Sequence, residues 1–218
     1  MKRQLVVMAR WPAPGRCKQR LASGLGNRRA AQIQQQLLGH TLATAKHWAA
    51  QNTHEPALVL AISGLGPRAA SRWSASLGCA RWQPQGPGQL GLRMQRQFAR
   101  AWREGAEQVV LIGSDLPTLE AADLEQAFAL LADQAEGGPD LVLGPSRDGG
   151  YWLIGLALDR AKRGAIPWQP GWLLAGIPWG SPQVLGCTLE RASQRQLRVA
   201  LLNEHGDVDW PHDLRRWR

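Results

Sequence analysis

Four cationic side chains lie close together in the segment that follows the first apolar run of the sequence. They are Arg10, Arg16, Lys18 and Arg20, and Pro14 and Gly15 stand among them. Proline restricts the backbone, glycine lets it approach a ligand closely, and cations form charge-assisted hydrogen bonds with phosphate oxygens. The segment therefore predicts a cradle for a polyanion, and a solvated basic loop is the alternative. It is neither a Walker loop nor a GxGxxG turn.

A carboxylate, Asp115, closes the apolar run that starts at Val109. A continuous Val/Leu/Ile run is typical of a strand that is covered on both faces of a sheet. Ligands of such sheets bind just beyond the carboxyl ends of the strands, where Asp115 would lie. The alternative is that Asp115 only caps the following helix, which we expect between Glu120 and Leu131.

Two further acidic positions follow later in the chain. Asp148 opens the turn Asp148-Gly149-Gly150 between two apolar runs, which is typical of a hairpin and also leaves bare backbone for a ligand. Asp209 precedes Pro211, so it either caps a terminal helix or brings a second carboxylate to the edge of the sheet.

Strand-like runs alternate with segments of helical period, which favours a parallel sheet with right-handed crossovers. We expect strands at 4–9, 57–62, 79–83, 109–112, 140–145, 151–156 and 196–202, and helices at 27–50, 68–77, 94–103, 120–131 and 181–194. Asn27 is the expected N-cap of the first helix, and Arg10 to Leu21 is expected to be a loop. Residues 1–218 are predicted to form one domain with an irregular, proline- and tryptophan-rich insertion around 164–182, which would cover a substrate or contact a second copy in a homodimer.

The amino-acid composition favours one broad class of binding partner but does not identify the partner within that class. The net charge is +9 and the pI is near 10.7, which favours anionic partners such as nucleotides or nucleic acid. No apolar stretch is long enough for a membrane span or a signal peptide, and three widely spaced cysteines suit a reducing compartment, so we expect a cytoplasmic protein without a membrane partner.

A basic helix near Arg93 to Arg103 supports a competing class, a non-catalytic protein that binds nucleotides or nucleic acid. Its cationic residues are Arg93, Arg96, Arg100 and Arg103. Such a stripe is more often a solvated helix face than a nucleic-acid surface, so this class is the less favoured one.

Four segments together carry a resemblance to a known family. They read RxPxPGxxKxRL from Arg10, GSDLP from Gly113, DGGYxLIGL from Asp148 and DVDxPxDL from Asp207. In this order they resemble the bacterial DUF2064 proteins, which are glycosyltransferase A-like and similar to the guanylyltransferases that act on phospholactate and phosphoenolpyruvate and, more distantly, to the molybdenum cofactor guanylyltransferases.

The resemblance implies an α/β fold of the nucleotide-diphospho-sugar transferase (GT-A) type, with three α/β/α layers and a mixed, mainly parallel sheet. It implies that the first loop holds nucleotide phosphates, with Lys18 and Asp115 as catalytic residues. It also implies that Asp115 and Asp209 bind Mg²⁺ or Mn²⁺, and that Asp148, Gly149 and Gly150 face the acceptor. Gly88, in the glycine-rich segment 85–94, is a further candidate for nucleotide binding.

The sequence departs from the family pattern at four positions that bear on activity. Gln19 replaces the Thr of the family pattern, and Gln89 replaces its Asp. Leu92 and Arg147 occupy positions at which the family often has acidic residues. These departures weaken the expectation of full catalytic competence and of the acceptor used by the relatives, and they leave the phosphate and metal residues in place.

The predicted function is a Mg²⁺-dependent transferase that uses a nucleoside triphosphate or a nucleotide sugar. Nucleotidyl transfer to a small, phosphorylated acceptor is favoured, and glycosyl transfer is the alternative within the enzyme class. Mg²⁺ is typically bound by one or two carboxylates together with substrate phosphates, which is the number that Asp115 and Asp209 supply. The neighbouring cations would neutralise charge on the leaving phosphate.

Overall fold

The computed structural model describes residues 1–52, 56–133, 138–158 and 170–216, which contain a seven-stranded sheet. Its strands are β1 (Arg3–Arg10), β2 (Ala57–Ser63), β3 (Trp82–Pro84), β4 (Gln108–Ile112), β5 (Leu141–Pro145), β6 (Tyr151–Ala157) and β7 (Val199–Leu201). The helices are α1 (Gln19–Leu25), α2 (Asn27–Gln51), α3 (Pro67–Ser76), α4 (Leu90–Arg103), α5 (Ala121–Ala132), α6 (Pro170–Leu174) and α7 (Val184–Gln194), followed by a 3₁₀ helix at Asp213–Arg216.

The strand order is β3-β2-β1-β4-β6-β5-β7, and β6 alone among these strands runs antiparallel to its neighbours. The carboxyl ends of the other strands therefore meet the amino end of β6 at one edge of the sheet. This edge carries the end of β1 at Arg10, the residues after β4 and the start of β6 at Tyr151. The topology confirms the predicted mixed, mainly parallel sheet.

Helices cover both faces of the sheet because its central strands are apolar on both sides. On one face, the sheet packs against α2, α3 and α5, with Val7, Val110 and Phe128 among the buried residues. On the other face, it packs against α4, α6 and α7, with Val6, Leu111 and Phe98. Successive residues of a strand point to opposite faces, so neighbours such as Val6 and Val7 belong to different cores. The expected three-layer α/β/α arrangement is present.

The structure corrects three local predictions. The predicted loop from Arg10 ends early, because α1 begins at Gln19 and buries Leu21 completely. The N-cap of α2 is Gly26, which leaves Asn27 as the first helical residue. The C-terminal segment forms only the short 3₁₀ helix.

Part of the predicted insertion at 164–182 lies outside the described residues. Its described part is less irregular than expected, since Pro170–Leu174 forms α6. None of the helices in the described ranges is long and apolar enough to cross a membrane.

The pair formed by Trp48 and Phe128 supports the contact between α2 and α5. Their rings stack with centroids 4.7 Å apart, and Phe128 is fully buried. We expect Phe128→Ala to reduce the free energy of unfolding by about 3–5 kcal/mol in urea titrations, because the ring leaves a cavity. Leu92→Ala, at a side chain that is 46% exposed in α4, is the control and should change it by less than about 0.5 kcal/mol. Equal losses would show that Phe128 is not a core anchor.

Candidate functional site

A cavity of about 660 Å³ opens at the carboxyl edge of the sheet. Its size lies within the range of ligand pockets, and its position is the one at which open α/β sheets bind ligands. The ends of β1 and β2, the residues after β4 and β5, and the start of β6 surround it. Its charged lining residues are Arg10, Arg16, Lys18, Arg20, Arg93, Asp115, Asp148, Asp207 and Asp209.

The ammonium of Lys18 joins two of these carboxylates. Its Nζ lies 3.2 Å from Oδ2 of Asp115 and 3.0 Å from Oδ1 of Asp209. The outer oxygens also have donors, since Nε2 of Gln34 donates to Oδ1 of Asp115 at 3.0 Å and Arg20 donates to Oδ2 of Asp209 at 3.2 Å. Each of the four carboxylate oxygens therefore accepts a contact from one protein donor.

Lys18 is held in this bridge by its backbone and by burial. It precedes α1 with φ 47° and ψ 50°, a left-handed conformation that is uncommon outside glycine, and its side chain is only 4% exposed. Burial by itself would lower its pKa, but the charges of Asp115 and Asp209 outweigh this and raise the pKa above its ordinary value. Lys18 is therefore a charged ammonium at neutral pH.

Asp115 does not cap the helix that follows it. Glu120 is the N-cap of α5, and it forms a capping box with Asp123. Asp115 is instead oriented by Gln34 of α2, which also donates to the hydroxyl of Ser114 at 3.1 Å. One feature of the sequence signals this role, because Gln34 is a polar residue in the apolar stripe of α2.

Asp209 is not an N-cap either. The carboxylate of Asp213 accepts the backbone N–H groups of Asp209 and Trp210, so the side chain of Asp209 is available to Lys18 and Arg20. The backbone N–H of Val208 donates to the carbonyl of Asp115 at 3.2 Å, which fastens the C-terminal segment beside β4. The two predicted metal residues are thus brought together.

Asp207 is a site residue that the sequence reasoning missed. Burial, followed by the negative charges of Asp209 and Asp148, raises the pKa of Asp207 to about 6. The sequence signal for this role is the alternation Asp207-Val208-Asp209, in which an apolar residue lies between two acidic ones. The buried Val208 anchors the segment, and both acidic neighbours line the cavity.

The cations of the first loop divide into two groups. Lys18 and Arg20 are engaged by Asp209, and the guanidinium of Arg20 also stacks over Trp210 at 5.8 Å. Arg10 and Arg16 line the cavity at exposed positions, and no carboxylate in the described ranges pairs with either. These two arginines are free to meet an anionic ligand.

The Asp148-Gly149-Gly150 turn has different roles at its three positions. Asp148 lines the cavity and accepts the backbone N–H of Gly150 at 2.9 Å, and Gly150 also reaches the cavity. Gly149 is structural, because it has φ 86° and an added Cβ would lie 2.2 Å from the carbonyl oxygen of Pro182. The backbone N–H of Leu185 donates to the carbonyl of Gly149 at 2.9 Å, so the turn is fastened to the start of α7.

Three of the predicted nucleotide residues do not line the cavity: Pro14, Gly15 and Gly88. Gly88 instead lies in the loop before α4, and side chains of α4 hold this loop in place. Three arginines of α4 donate to backbone carbonyls of this loop. Arg93 donates from Nε to the carbonyl of Gly88 at 2.8 Å. Arg96 donates to the carbonyls of Gln85 and Pro87, and Arg100 donates to the carbonyl of Pro84. The basic stripe of α4 therefore stiffens its own loop.

Gln85 within this loop is a further residue that the sequence reasoning missed, and like Gln34 it is buried. Its Nε2 donates to the carbonyls of Ala9 and Ala61 at 3.1 and 2.9 Å, at the ends of β1 and β2. Its side chain lines the cavity although the residue is only 4% exposed. Gln85 thus fixes the edge of the cavity that faces β2.

The four departures from the family pattern lie around this site. Gln19 lines the cavity as the first residue of α1, and Gln89 is the N-cap of α4. Leu92 is exposed, and Arg147 pairs with Glu204 at 3.7 Å. The side-chain hydrogen bonds and ion pairs of Asp115 and Asp209 in the described ranges involve none of the four.

Asp115 and Asp209 suit a divalent cation in donor type, since Mg²⁺ prefers carboxylate oxygens and is often bound by two of them with phosphate and water. The described residues contain no group of three or more His, Cys, Asp or Glu side chains that is arranged around one ion. A metal at this place would thus depend on ligand oxygens as well as on these two carboxylates.

Cys17 lies in the cavity but is not an activated nucleophile. Burial raises the pKa of its thiol, and the thiol donates to the carbonyl of Ala13 at 3.4 Å. Covalent thiol chemistry is therefore not favoured here.

Comparison with known proteins finds a family model and solved structures of similar fold. The model of the family DUF2064, described as an uncharacterized protein conserved in bacteria, matches residues 41–181. Comparison with curated proteins gives no match. A solved structure from Desulfovibrio desulfuricans G20, provisionally described as a nucleotide-diphospho-sugar transferase, superimposes with a TM-score of 0.78 at 28% identity, over 96% of this chain and 84% of that one.

More distant structures share the fold. CMP:2-keto-3-deoxy-manno-octonic acid synthetase complexed with CTP has a TM-score of 0.57 at 12% identity, over 99% of this chain and 96% of that one. Glucosyl-3-phosphoglycerate synthase from Mycobacterium tuberculosis, in complex with Mn²⁺, UDP and glucosyl-3-phosphoglycerate, has a TM-score of 0.57 at 14% identity, over 99% of this chain and 75% of that one. The sheet and its edge are thus of the nucleotide-diphospho-sugar transferase type.

A substitution of Gln34 tests whether its hydrogen bonds to Ser114 and Asp115 stabilise the site. We expect Gln34→Leu to fold but to lose about 1–2 kcal/mol of unfolding free energy, because Ser114 loses a buried hydrogen bond and Asp115 loses a partly buried one. Urea titration measures this loss. Gln35→Leu, one position along the same helix at an exposed side chain, is the matched control and should show little change. A Gln34 variant as stable as this control would contradict the role of Gln34.

Proposed function

Because the chain belongs to the DUF2064 family, we propose that it is a transferase that binds a nucleoside triphosphate or a nucleotide sugar in this cavity. The favoured reaction is nucleotidyl transfer, dependent on Mg²⁺ or Mn²⁺, to a small, phosphorylated acceptor. The observation that carries the proposal is the placement of two free arginines beside a bridged carboxylate pair at the carboxyl edge of the sheet.

In this proposal the two halves of the cavity have separate tasks. Arg10 and Arg16 bind the nucleotide phosphates and neutralise the charge that the leaving phosphate gains, which lowers the barrier to transfer. Asp115 and Asp209 would hold the divalent ion, which would supply further neutralisation of the phosphate charge. Asp148 and Gly150 lie across the cavity and position the acceptor.

Transfer itself needs positioning more than covalent chemistry by the protein. An oxygen of the acceptor attacks the α-phosphorus, the bond from that phosphorus to the bridging oxygen breaks, and pyrophosphate leaves with the electron pair. Lys18 and Asp115, which we assign as catalytic, lie in the cavity within 3.2 Å of each other, where they would contact the reacting phosphate and its metal. The rigid sheet edge fixes their relative positions.

Glycosyl transfer from a nucleotide sugar is the second candidate, and one comparison favours it. The Desulfovibrio structure, at 28% identity, is provisionally described as a nucleotide-diphospho-sugar transferase. The two reactions release different products, because nucleotidyl transfer releases pyrophosphate and glycosyl transfer releases a nucleoside diphosphate.

The three free cysteines suit a reducing compartment, and we assign the protein to the cytoplasm.

A thermal-shift screen of nucleoside triphosphates and nucleotide sugars, with and without Mg²⁺, tests the proposal. At least one nucleotide should raise the melting temperature, because a ligand that binds only the folded state stabilises it. Asp115→Asn should remove the Mg²⁺-dependent part of that rise while circular dichroism shows an unchanged fold. The absence of any shift with every nucleotide would contradict a nucleotide site, and an unchanged Mg²⁺ effect in the variant would contradict the metal assignment.

The free arginines give a second test of the phosphate half. We expect Arg16→Ala to weaken binding of a triphosphate about tenfold and binding of the matching nucleoside hardly at all, because hydrogen bonds to charged groups contribute about 1.5–3 kcal/mol. Isothermal titration calorimetry measures both. Arg28→Ala removes the same charge from an exposed position in α2 outside the cavity and should leave both affinities nearly unchanged. Equal losses for triphosphate and nucleoside would place Arg16 elsewhere in recognition.

A further inference from the structure

We propose that Lys18 masks the divalent-metal site and that a nucleotide phosphate must draw its ammonium away before the metal can bind. The proposal rests on the proposed function and adds an order of events to it. Metal affinity should be low in the protein alone and high in its complex with a nucleotide. The reason lies in which oxygens of Asp115 and Asp209 are already occupied.

The two oxygens that face each other are both occupied by the same cation. Oδ2 of Asp115 and Oδ1 of Asp209 lie 3.2 and 3.0 Å from Nζ of Lys18. A metal bridging the two carboxylates would need these same oxygens. Lys18 and a divalent ion therefore compete for one position.

Burial makes the competition strong. The side chain of Lys18 is only 4% exposed, whereas Asp115 and Asp209 keep 43% and 30% of theirs exposed toward the cavity. Two cations placed side by side with little water between them repel each other more strongly than they would in solution. A free ion therefore binds poorly unless the ammonium first moves.

The outer oxygens would keep the carboxylates in place when Lys18 leaves. Gln34 donates to Oδ1 of Asp115, and Arg20 donates to Oδ2 of Asp209 while its guanidinium stacks over Trp210. These contacts do not involve Lys18. Departure of the ammonium therefore uncovers two oriented oxygens and does not collapse the pair.

A phosphate is the ligand able to draw Lys18 away. Arg10 and Arg16 line the same cavity and have no carboxylate partner in the described part of the chain, so they would bring phosphate oxygens beside Lys18. A phosphate offers the ammonium a new anionic partner, and its remaining oxygens can complete the coordination of the metal. Nucleotide and metal would therefore each raise the affinity for the other.

Lys18→Met tests the masking with Mn²⁺ alone as the probe. Electron paramagnetic resonance of free Mn²⁺ should show that the variant binds the ion about tenfold more tightly than the wild type in the absence of nucleotide. Arg28→Met removes a cation from an exposed position of α2 outside the cavity, and it should leave Mn²⁺ affinity nearly unchanged. Adding Asp115→Asn to Lys18→Met should abolish the gain, which identifies the uncovered ligand.

A second variant guards against misfolding. Lys18→Gln keeps a hydrogen-bond donor but removes the charge, and it should also bind Mn²⁺ more tightly than the wild type. If neither folded variant gains Mn²⁺ affinity while the wild type still binds a nucleotide, the masking is wrong and the proposed function stands. If the variants gain Mn²⁺ affinity but the wild type binds no nucleotide, Lys18 masks a metal site and the proposed function is wrong.

Discussion

The charge bridge from Asp115 through Lys18 to Asp209 joins three segments that are far apart in sequence. Lys18 comes from the turn before α1, Asp115 from the end of β4, and Asp209 from the segment after β7. The sheet makes the meeting feasible because β1 and β4 are neighbours. The C-terminal segment then closes the site through its backbone contact with Asp115 and through Val208, which packs with Leu21. The proposed metal site and its masking both depend on this bridge.

The antiparallel strand β6 explains how a mainly parallel sheet places the turn that carries Asp148 beside the loop that carries Arg10 and Arg16. Its amino end lies at the same edge as the carboxyl ends of its neighbours, so the turn that carries Asp148 reaches the cavity. A parallel strand at that place would bring its carboxyl end instead. The single reversal thus adds a second wall to the site.

Sequence reasoning recovered the sheet because buried strands are apolar over their whole length and are bounded by turn residues. It failed at α1, where Pro14 and Gly15 suggested a continuous loop and where a short helix is stabilised by burial of Leu21. It found Lys18, Asp115 and Asp209 through the motifs, and the structure brings these three together. It missed contributions that depend on tertiary contacts: the hydrogen bonds of Gln34 and Gln85, and the burial of Asp207.

The close approach of Gly149 to Pro182 has a consequence for how such a site can diversify. Because the turn with Asp148 is fastened to the start of α7, this wall is built as a unit with the segment before that helix. The bridge and the free arginines stand on other elements. Under the proposed function, changes in that one segment can therefore alter the choice of acceptor during evolution while the nucleotide half is inherited intact.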